Sequence, residues 1–158
     1  MKFREVVATD DKAVRLLTAY FTSRELSFPS SQGHYRITFP AKADFEPPTG
    51  VFFLIINDNE TAVGCGGVRR VADSALEEIR YEIKHLWLEP DARGQGWATM
   101  LMRELESRAR SFGASQVVLD TNHSLIDAAR LYKQLGYVEI EPYNDNPNAT
   151  NWYAKRLD

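Results

Sequence analysis

The sequence predicts a single domain of mixed α and β structure, α/β or α+β, built around one sheet flanked by helices. Three observations predict it. Runs of β-patterned residues alternate with segments of helical period along the chain. A glycine-bearing turn joins one such strand directly to an amphipathic helix. The 158 residues, 44% of them hydrophobic, suit one core, and no linker or repeat divides residues 1–158.

Thr9-Asp10-Asp11 reads as a helix cap ahead of Ala13, Val14, Leu16, Leu17 and Tyr20, which share one helical face. From Ser27 to Gly50 the chain is rich in Pro, Ser and Gly and keeps no steady period. This predicts loop and short helix, a surface segment of the kind that shapes a substrate site. Val51 to Ile56 is β-rich, Asn57-Asp58-Asn59-Glu60 is a turn by composition, and Thr61 to Val71 returns as the second arm of a hairpin. Ile79 to Leu88 alternates and stops at Pro90, which has no N–H for a ladder. Ala98, Leu101, Leu105, Ala109 and Phe112 mark the buried face of a helix that ends at Gly113. Gln116 to Leu119 is a short buried strand. Ser124 and Asp127 resemble a capping box for a helix carrying Ala128, Leu131, Tyr132 and Leu135 and ending at Gly136. Val138 and Ile140 alternate with Glu139 and Glu141 as a half-exposed strand, Asn144 to Asn148 is a turn-rich loop, and Asn151 to Leu157 reads as a last strand.

Charge and composition exclude several functions. Lys and Arg total 19 against 22 acidic residues, a net charge of -3, and no basic stripe occurs that would neutralise nucleic-acid phosphates. The longest apolar run, Val51 to Ile56, is far too short for a membrane span, and the charged start MKFREVVATDD is unlike a signal peptide. The one cysteine, Cys65, cannot form an internal disulfide and reads as a small buried strand residue, so a reducing, cytoplasmic setting is expected. No metal site, nucleic-acid partner or membrane partner is expected. A homodimer is left open.

The chemistry concentrates in His85-Leu86-Trp87-Leu88-Glu89-Pro90-Asp91-Ala92-Arg93-Gly94-Gln95-Gly96-Trp97-Ala98. A strand ends, glycines turn the chain and a helix begins. The first N–H groups of a helix lack partners inside it, and with the helix dipole they attract an anion. Gly94 and Gly96 carry no Cβ, so a diphosphate could approach the backbone, and Arg93 adds positive charge. Two glycines would equally serve a tight turn alone. No lysine follows Gly96, which excludes Gly-x-x-x-x-Gly-Lys-Ser/Thr, and the third glycine of a dinucleotide fingerprint is missing. Nor is an opening strand of Rossmann type expected.

The segment resembles the coenzyme A signature of the GNAT N-acetyltransferase superfamily, Gln/Arg-x-x-Gly-x-Gly/Ala, here Arg93-x-x-Gly96-x-Ala98 after Leu88-Glu89-Pro90. Downstream, Leu131-Tyr132-Lys133-Gln134-Leu135-Gly136-Tyr137 resembles the Leu-Tyr-x-x-x-Gly-Phe segment of the same superfamily. The likeness runs from Val51 to the end. It implies a mixed, largely antiparallel sheet whose central strands splay, acetyl-CoA as co-substrate, and direct transfer of the acetyl group to a primary amine of a small molecule or peptide.

By the same resemblance, the backbone of Leu86, Trp87 and Leu88 would pair with the pantetheine arm. The N–H groups of Gly94, Gln95, Gly96, Trp97, Ala98 and Thr99 would hold the diphosphate, and the Trp97 ring is expected to pack on the sheet. Tyr132 matches the tyrosine that protonates the departing thiolate in many members; its other reading is a core aromatic. Glu82, eleven residues before Arg93, stands where some members carry a glutamate base. Such a base is needed because an alkylammonium has no lone pair. Period-two alternation would put Glu82, Lys84, Leu86 and Leu88 on one side of their strand, so Glu82 either faces the cleft or pairs on the surface with Lys84 or Arg80. His34, His85 and His123 are weaker candidates. Where members carry Asn or Gln ahead of Ala128, this chain has Leu125, and Asn122 is the candidate substitute. Two other functions are weighed against the enzyme: a non-catalytic acyl-CoA-binding sensor, and a partner module with no ligand.

Overall fold

The computed structural model describes residues 1–158. Strands β1 (Lys2–Val6), β2 (Gly50–Ile56), β3 (Ala62–Val71), β4 (Arg80–Leu88), β5 (Gln116–Thr121), β6 (Val138–Ile140) and β7 (Asn151–Arg156) form one sheet in the order β1-β2-β3-β4-β5-β7-β6. Helices α1 (Asp11–Ser27), α2 (Trp97–Ser111) and α3 (Ile126–Gln134) complete the mixed fold. Every strand pairing is antiparallel except β4 with β5.

Both sheet faces are covered, which explains the unbroken apolar run of β2. Its Val51, Phe53 and Ile55 enter one core with Leu101, Met102 and Leu105 of α2, while Phe52, Leu54 and Ile56 enter a second with Leu16, Leu17 and Phe21 of α1. Each such buried aliphatic side chain contributes roughly 1.5–3 kcal/mol. Gly67 makes room for the second core: a Cβ there would lie 2.6 Å from the Phe45 ring and 2.8 Å from that of Phe52.

α1 is capped as expected, the Asp10 side chain accepting from the N–H groups of Lys12 and Ala13. The segment after it holds two short 3-10 turns, Ser30–Gln32 and Lys42–Phe45, in agreement with the loop-and-short-helix reading.

Three expectations are corrected, and one strand goes beyond the sequence reading. β1 opens the chain as an edge strand antiparallel to β2; its alternation is masked by Lys2, Arg4 and Glu5, and its Phe3 packs on Phe53, 6.1 Å between centroids. It is not a Rossmann first strand, since a parallel neighbour is absent. The capping box of α3 does not form: Leu125 is the N-cap, no side chain caps the helix, and the Ser124 N–H donates to Asn122 Oδ1. Val138 faces solvent at 62% exposure, because β6 is a short edge strand.

The third correction matters for the site. Gly67 pairs with Lys84 but Cys65 pairs with Trp87, so β4 carries an extra residue, and His85 there takes a φ of 61°. The bulge reverses the alternation. Leu86 and Leu88 pack with Tyr81 and Ile83 against the α2 core, opposite to Glu82 and Lys84. Glu82, Lys84, Leu86 and Leu88 therefore do not share one side.

Candidate active site

The parallel pairing of β4 and β5 covers only Arg80–Glu82 with Gln116–Val118. Beyond Glu82 the strands splay, and the β5-facing backbone of Leu86, Trp87 and Leu88 has no strand partner. A cavity of about 540 Å³ opens at this gap. α1, the Ser27–Gly50 segment and the loop between β6 and β7 wall it, and His85, Leu86, Asn122 and Tyr132 line it.

At the far end of β4 the chain passes through Pro90–Ala92 to the glycine turn. Gly94 and Gly96 have φ of 81° and 78°, and a Cβ on either would meet no atom within 4 Å. Gly96 is the N-cap of α2 and offers no side chain to it. No protein acceptor meets the N–H groups from Gly94 through Thr99; Arg93 N bonds to Pro90 O and Met100 N to Gly96 O on either side of them. A row of unpaired N–H groups at the positive end of a fifteen-residue helix offers its donors to an anion. The Arg93 side chain folds back, its Nε donating to Leu88 O at 3.0 Å and its guanidinium lying 4.8 Å over the Trp87 ring. Trp97 packs on the α2 core as expected, with Ala98 beside it.

Tyr132, on α3, is 8% exposed, with its ring 6.1 Å from Tyr137 and 6.0 Å from Tyr153. Its hydroxyl makes no hydrogen bond within the protein, and the residue faces the cavity. Burial first, then the nearby Tyr20 phenol, pushes its pKa above the ordinary tyrosine value, so it stays a neutral donor. It is thus at once a core aromatic and a cavity-lining hydroxyl.

Glu82 is 1% exposed and lies under the cavity floor rather than on it. Oε1 accepts from Arg69 Nε at 3.2 Å and Nη2 at 3.1 Å, and Oε2 from the Tyr143 hydroxyl at 2.6 Å and Asn144 Nδ2 at 3.3 Å. Neither Lys84 nor Arg80 is its partner: Lys84 pairs with Asp120 at 3.1 Å, and Arg80 donates to the Ala72 and Asp73 carbonyls. Asn144 also donates to Asp120 Oδ2 at 2.7 Å and accepts from Trp152 Nε1 at 2.8 Å, so one amide links both carboxylates. A buried charge needs such partners, because removing one leaves a penalty of roughly 3–5 kcal/mol.

Asn122 is buried with its amide committed, donating to Gln32 Oε1 at 2.7 Å and Asn148 O at 3.1 Å. It ties the cavity's two loop walls together. His34 and His123 are exposed. His85 lines the cavity among the rings of Tyr20, Phe21 and Phe45, its Nδ1 buried without a partner. Burial first, then Lys84 and Arg69, lowers its pKa to about 3, so the ring is neutral. Burial likewise raises the pKa of the Cys65 thiol, in keeping with an inert strand residue.

Sequence reading missed Tyr143, Asn144, Asp120 and Arg69. The only signal was the asparagine spacing at Asn144, Asn146 and Asn148; the side chains of Asn144 and Asn146 start Asx turns by accepting from the N–H groups of Asn146 and Asn148.

With this geometry in view, comparisons place the chain among known proteins. The model of the Acetyltransferase (GNAT) family matches residues 12–137. An uncharacterised N-acetyltransferase of Schizosaccharomyces pombe is 33% identical over 103 residues, which is 65% of this chain and 61% of that protein. Human N-acetyltransferase 8B is 39% identical over 88 residues, 56% of this chain but 39% of its own length. The match thus spans well under the full length of these curated relatives. Among solved structures, a GNAT superfamily phosphinothricin acetyltransferase from Sinorhizobium meliloti, in complex with acetyl-CoA, superposes with a TM-score of 0.66 at 16% identity, covering 99% of this chain and 88% of that one. No helix of this chain is long and apolar enough to cross a membrane.

Proposed function

The chain belongs to the GNAT acetyltransferase family, and from that premise we propose that it transfers the acetyl group of acetyl-CoA directly to a primary amine of a small molecule or peptide. The observation that carries this reading is the unpaired N–H row from Gly94 through Thr99, standing beyond a strand whose Leu86–Leu88 stretch has no neighbouring strand on its β5 side. The first suits a diphosphate and the second an amide-bearing arm, in the order a coenzyme A molecule presents them.

In this reading bound acetyl-CoA supplies the thioester, and the chain positions it and moves protons. The gap between β4 and β5 admits the acetyl end into the cavity beside Tyr132. The Tyr132 hydroxyl, neutral and without a protein partner, donates to the sulfur as it departs. Glu82 takes the amine's proton through a bridging water or the Tyr143 hydroxyl, since its own oxygens are covered. Asn122 acts by holding the loops that close over the pantetheine arm. The test is a pair of measurements: acetyl-CoA raises the thermal midpoint of the protein, and an amine panel releases free thiol from acetyl-CoA. No stabilisation by acetyl-CoA at millimolar concentration overturns the reading.

A further inference from the structure

The cavity carries positive charge that ion pairs within the protein do not neutralise. Four cationic side chains line it: Arg24, Arg36, Arg69 and Lys84. Arg69 is paired with Glu82 and Lys84 with Asp120, so those two are neutralised locally. Arg24 and Arg36 take part in none of the protein's ion pairs. The one other acid on the wall, Asp44, is exposed and accepts the Ala41 N–H. In a chain of net charge -3, two arginines without an ion-pair partner on the wall of one cavity, Arg24 half-buried and Arg36 exposed, run against the overall balance.

The Arg24 side chain is held in place, and Arg36 is anchored at its backbone. The Arg24 guanidinium lies 4.9 Å over the Tyr20 ring. Arg36 is fixed through its backbone, its N–H donating to Asn148 Oδ1 at 2.9 Å and its carbonyl accepting from Asn148 Nδ2 at 2.8 Å. They do not serve the diphosphate, because no residue from Gly94 to Thr99 borders this cavity. Beside them stands an aromatic wall in which Phe21 meets Phe39 at 4.9 Å and Phe28 meets Tyr35 at 5.5 Å.

We propose that the acceptor is a small amine bearing a carboxylate and an apolar side group, such as an apolar α-amino acid, with Arg24 and Arg36 receiving the carboxylate and the aromatic wall the side group. The proposal rests on the acetyltransferase reading above. A guanidinium presents paired N–H donors that match a carboxylate, and the bond strengthens beside low-dielectric aromatic walls. A polyamine would instead bring its charge against two unpaired cations. The slightly acidic chain alone suggests the opposite preference; the local inventory reverses it.

The test compares L-phenylalanine with L-phenylalaninamide and spermidine as acceptors, read by thiol release. The amide keeps the ring and the amine and loses only the negative charge, and its less basic amine favours it chemically. The expected result is a KM for phenylalanine at least ten-fold below that for the amide, with spermidine poorer still. Arg24→Gln and Arg36→Gln should each move that ratio toward one. A second readout, independent of turnover, is the thermal midpoint titrated with phenylalanine with and without CoA; wild type should give a saturable rise and the variants a weaker one. Preference for the amide or spermidine, a ratio unchanged in both variants, or no wild-type rise with phenylalanine overturns the proposal. If acetyl-CoA stabilises the protein while phenylalanine does nothing, the acceptor class alone fails. If acetyl-CoA itself does not stabilise, the acetyltransferase reading fails.

Discussion

The Tyr143 hydroxyl donates to Glu82 Oε2 at 2.6 Å, joining the β6–β7 loop to β4 at the point where it parts from β5, 61 residues away in sequence. Burial first, then the Glu82 charge, raises the Tyr143 pKa well above the ordinary tyrosine range, so the phenol keeps its proton and remains a donor to the carboxylate. Through this bond and those of Asn144, the loop walling the cavity is fastened to its floor.

Acetyl-CoA should raise the thermal midpoint, since a ligand held only by the folded state stabilises it as RT ln(1 + [L]/Kd). Gly96→Glu sets a negative side chain at the N-terminus of α2 and should abolish the shift. Gly96→Asn tests the backbone separately, because asparagine tolerates the positive φ of 78° found there. The asparagine variant should keep most of the shift. If the glutamate variant binds normally, the diphosphate lies elsewhere.

Tyr132→Phe preserves the ring contacts with Tyr137 and Tyr153 and removes a hydroxyl that bonds to nothing in the protein. Stability should change by less than about 0.5 kcal/mol. The expected fall in kcat is about ten- to a thousand-fold, the span for a positioned acid. Unchanged turnover with chemistry rate-limiting would leave Tyr132 a purely packed aromatic.

Glu82→Gln should depress kcat far more than it weakens acetyl-CoA binding. Raising the pH should recover part of the loss, because more of the acceptor then arrives without its proton. A deficit of the same size at every pH would mean that Glu82 serves only to hold Arg69, Tyr143 and Asn144 in place.

Gly67→Ala drives a methyl group to within 2.6 Å of the Phe45 ring and should cost about 1–3 kcal/mol by overpacking. Denaturant midpoints measure it. A neutral outcome would show that Phe45 has room to move.

His85 makes stability depend on acid pH. Its folded pKa, about 3, lies below the reference value of 6.5, mainly through burial, so between those values the unfolded chain binds the extra proton. The contribution is complete above pH 6.5 and is lost as pH falls toward 3, at a slope approaching about 1.4 kcal/mol per pH unit. His85→Asn suits the φ of 61° and removes the titration, so its unfolding free energy should fall less steeply through that window. Parallel curves for wild type and variant would show that His85 is not the titrating group.

What the sequence determined by itself was local. The cap at Asp10, the two-faced β2 run, the glycine turn and the position of Tyr132 on a helical face depend on neighbours a few residues apart, and their patterns can be read along the chain. β1 escaped because an edge strand buries little, and charged residues stand at its exposed positions. Tertiary structure alone decided what surrounds Glu82. The bulge at His85 arises where β4 meets Gly66 and Gly67 across a non-local pairing, and no periodicity within β4 announces it. The partners of Glu82 come from β3 and the β6–β7 loop, and those of Arg24 and Arg36 could be known to be missing only once every acidic side chain had a place. Hydrogen bonds and ion pairs act over a few ångströms in space, so the chain's route through the fold, and not the spacing of its residues, sets which charges are satisfied and which remain to meet a ligand.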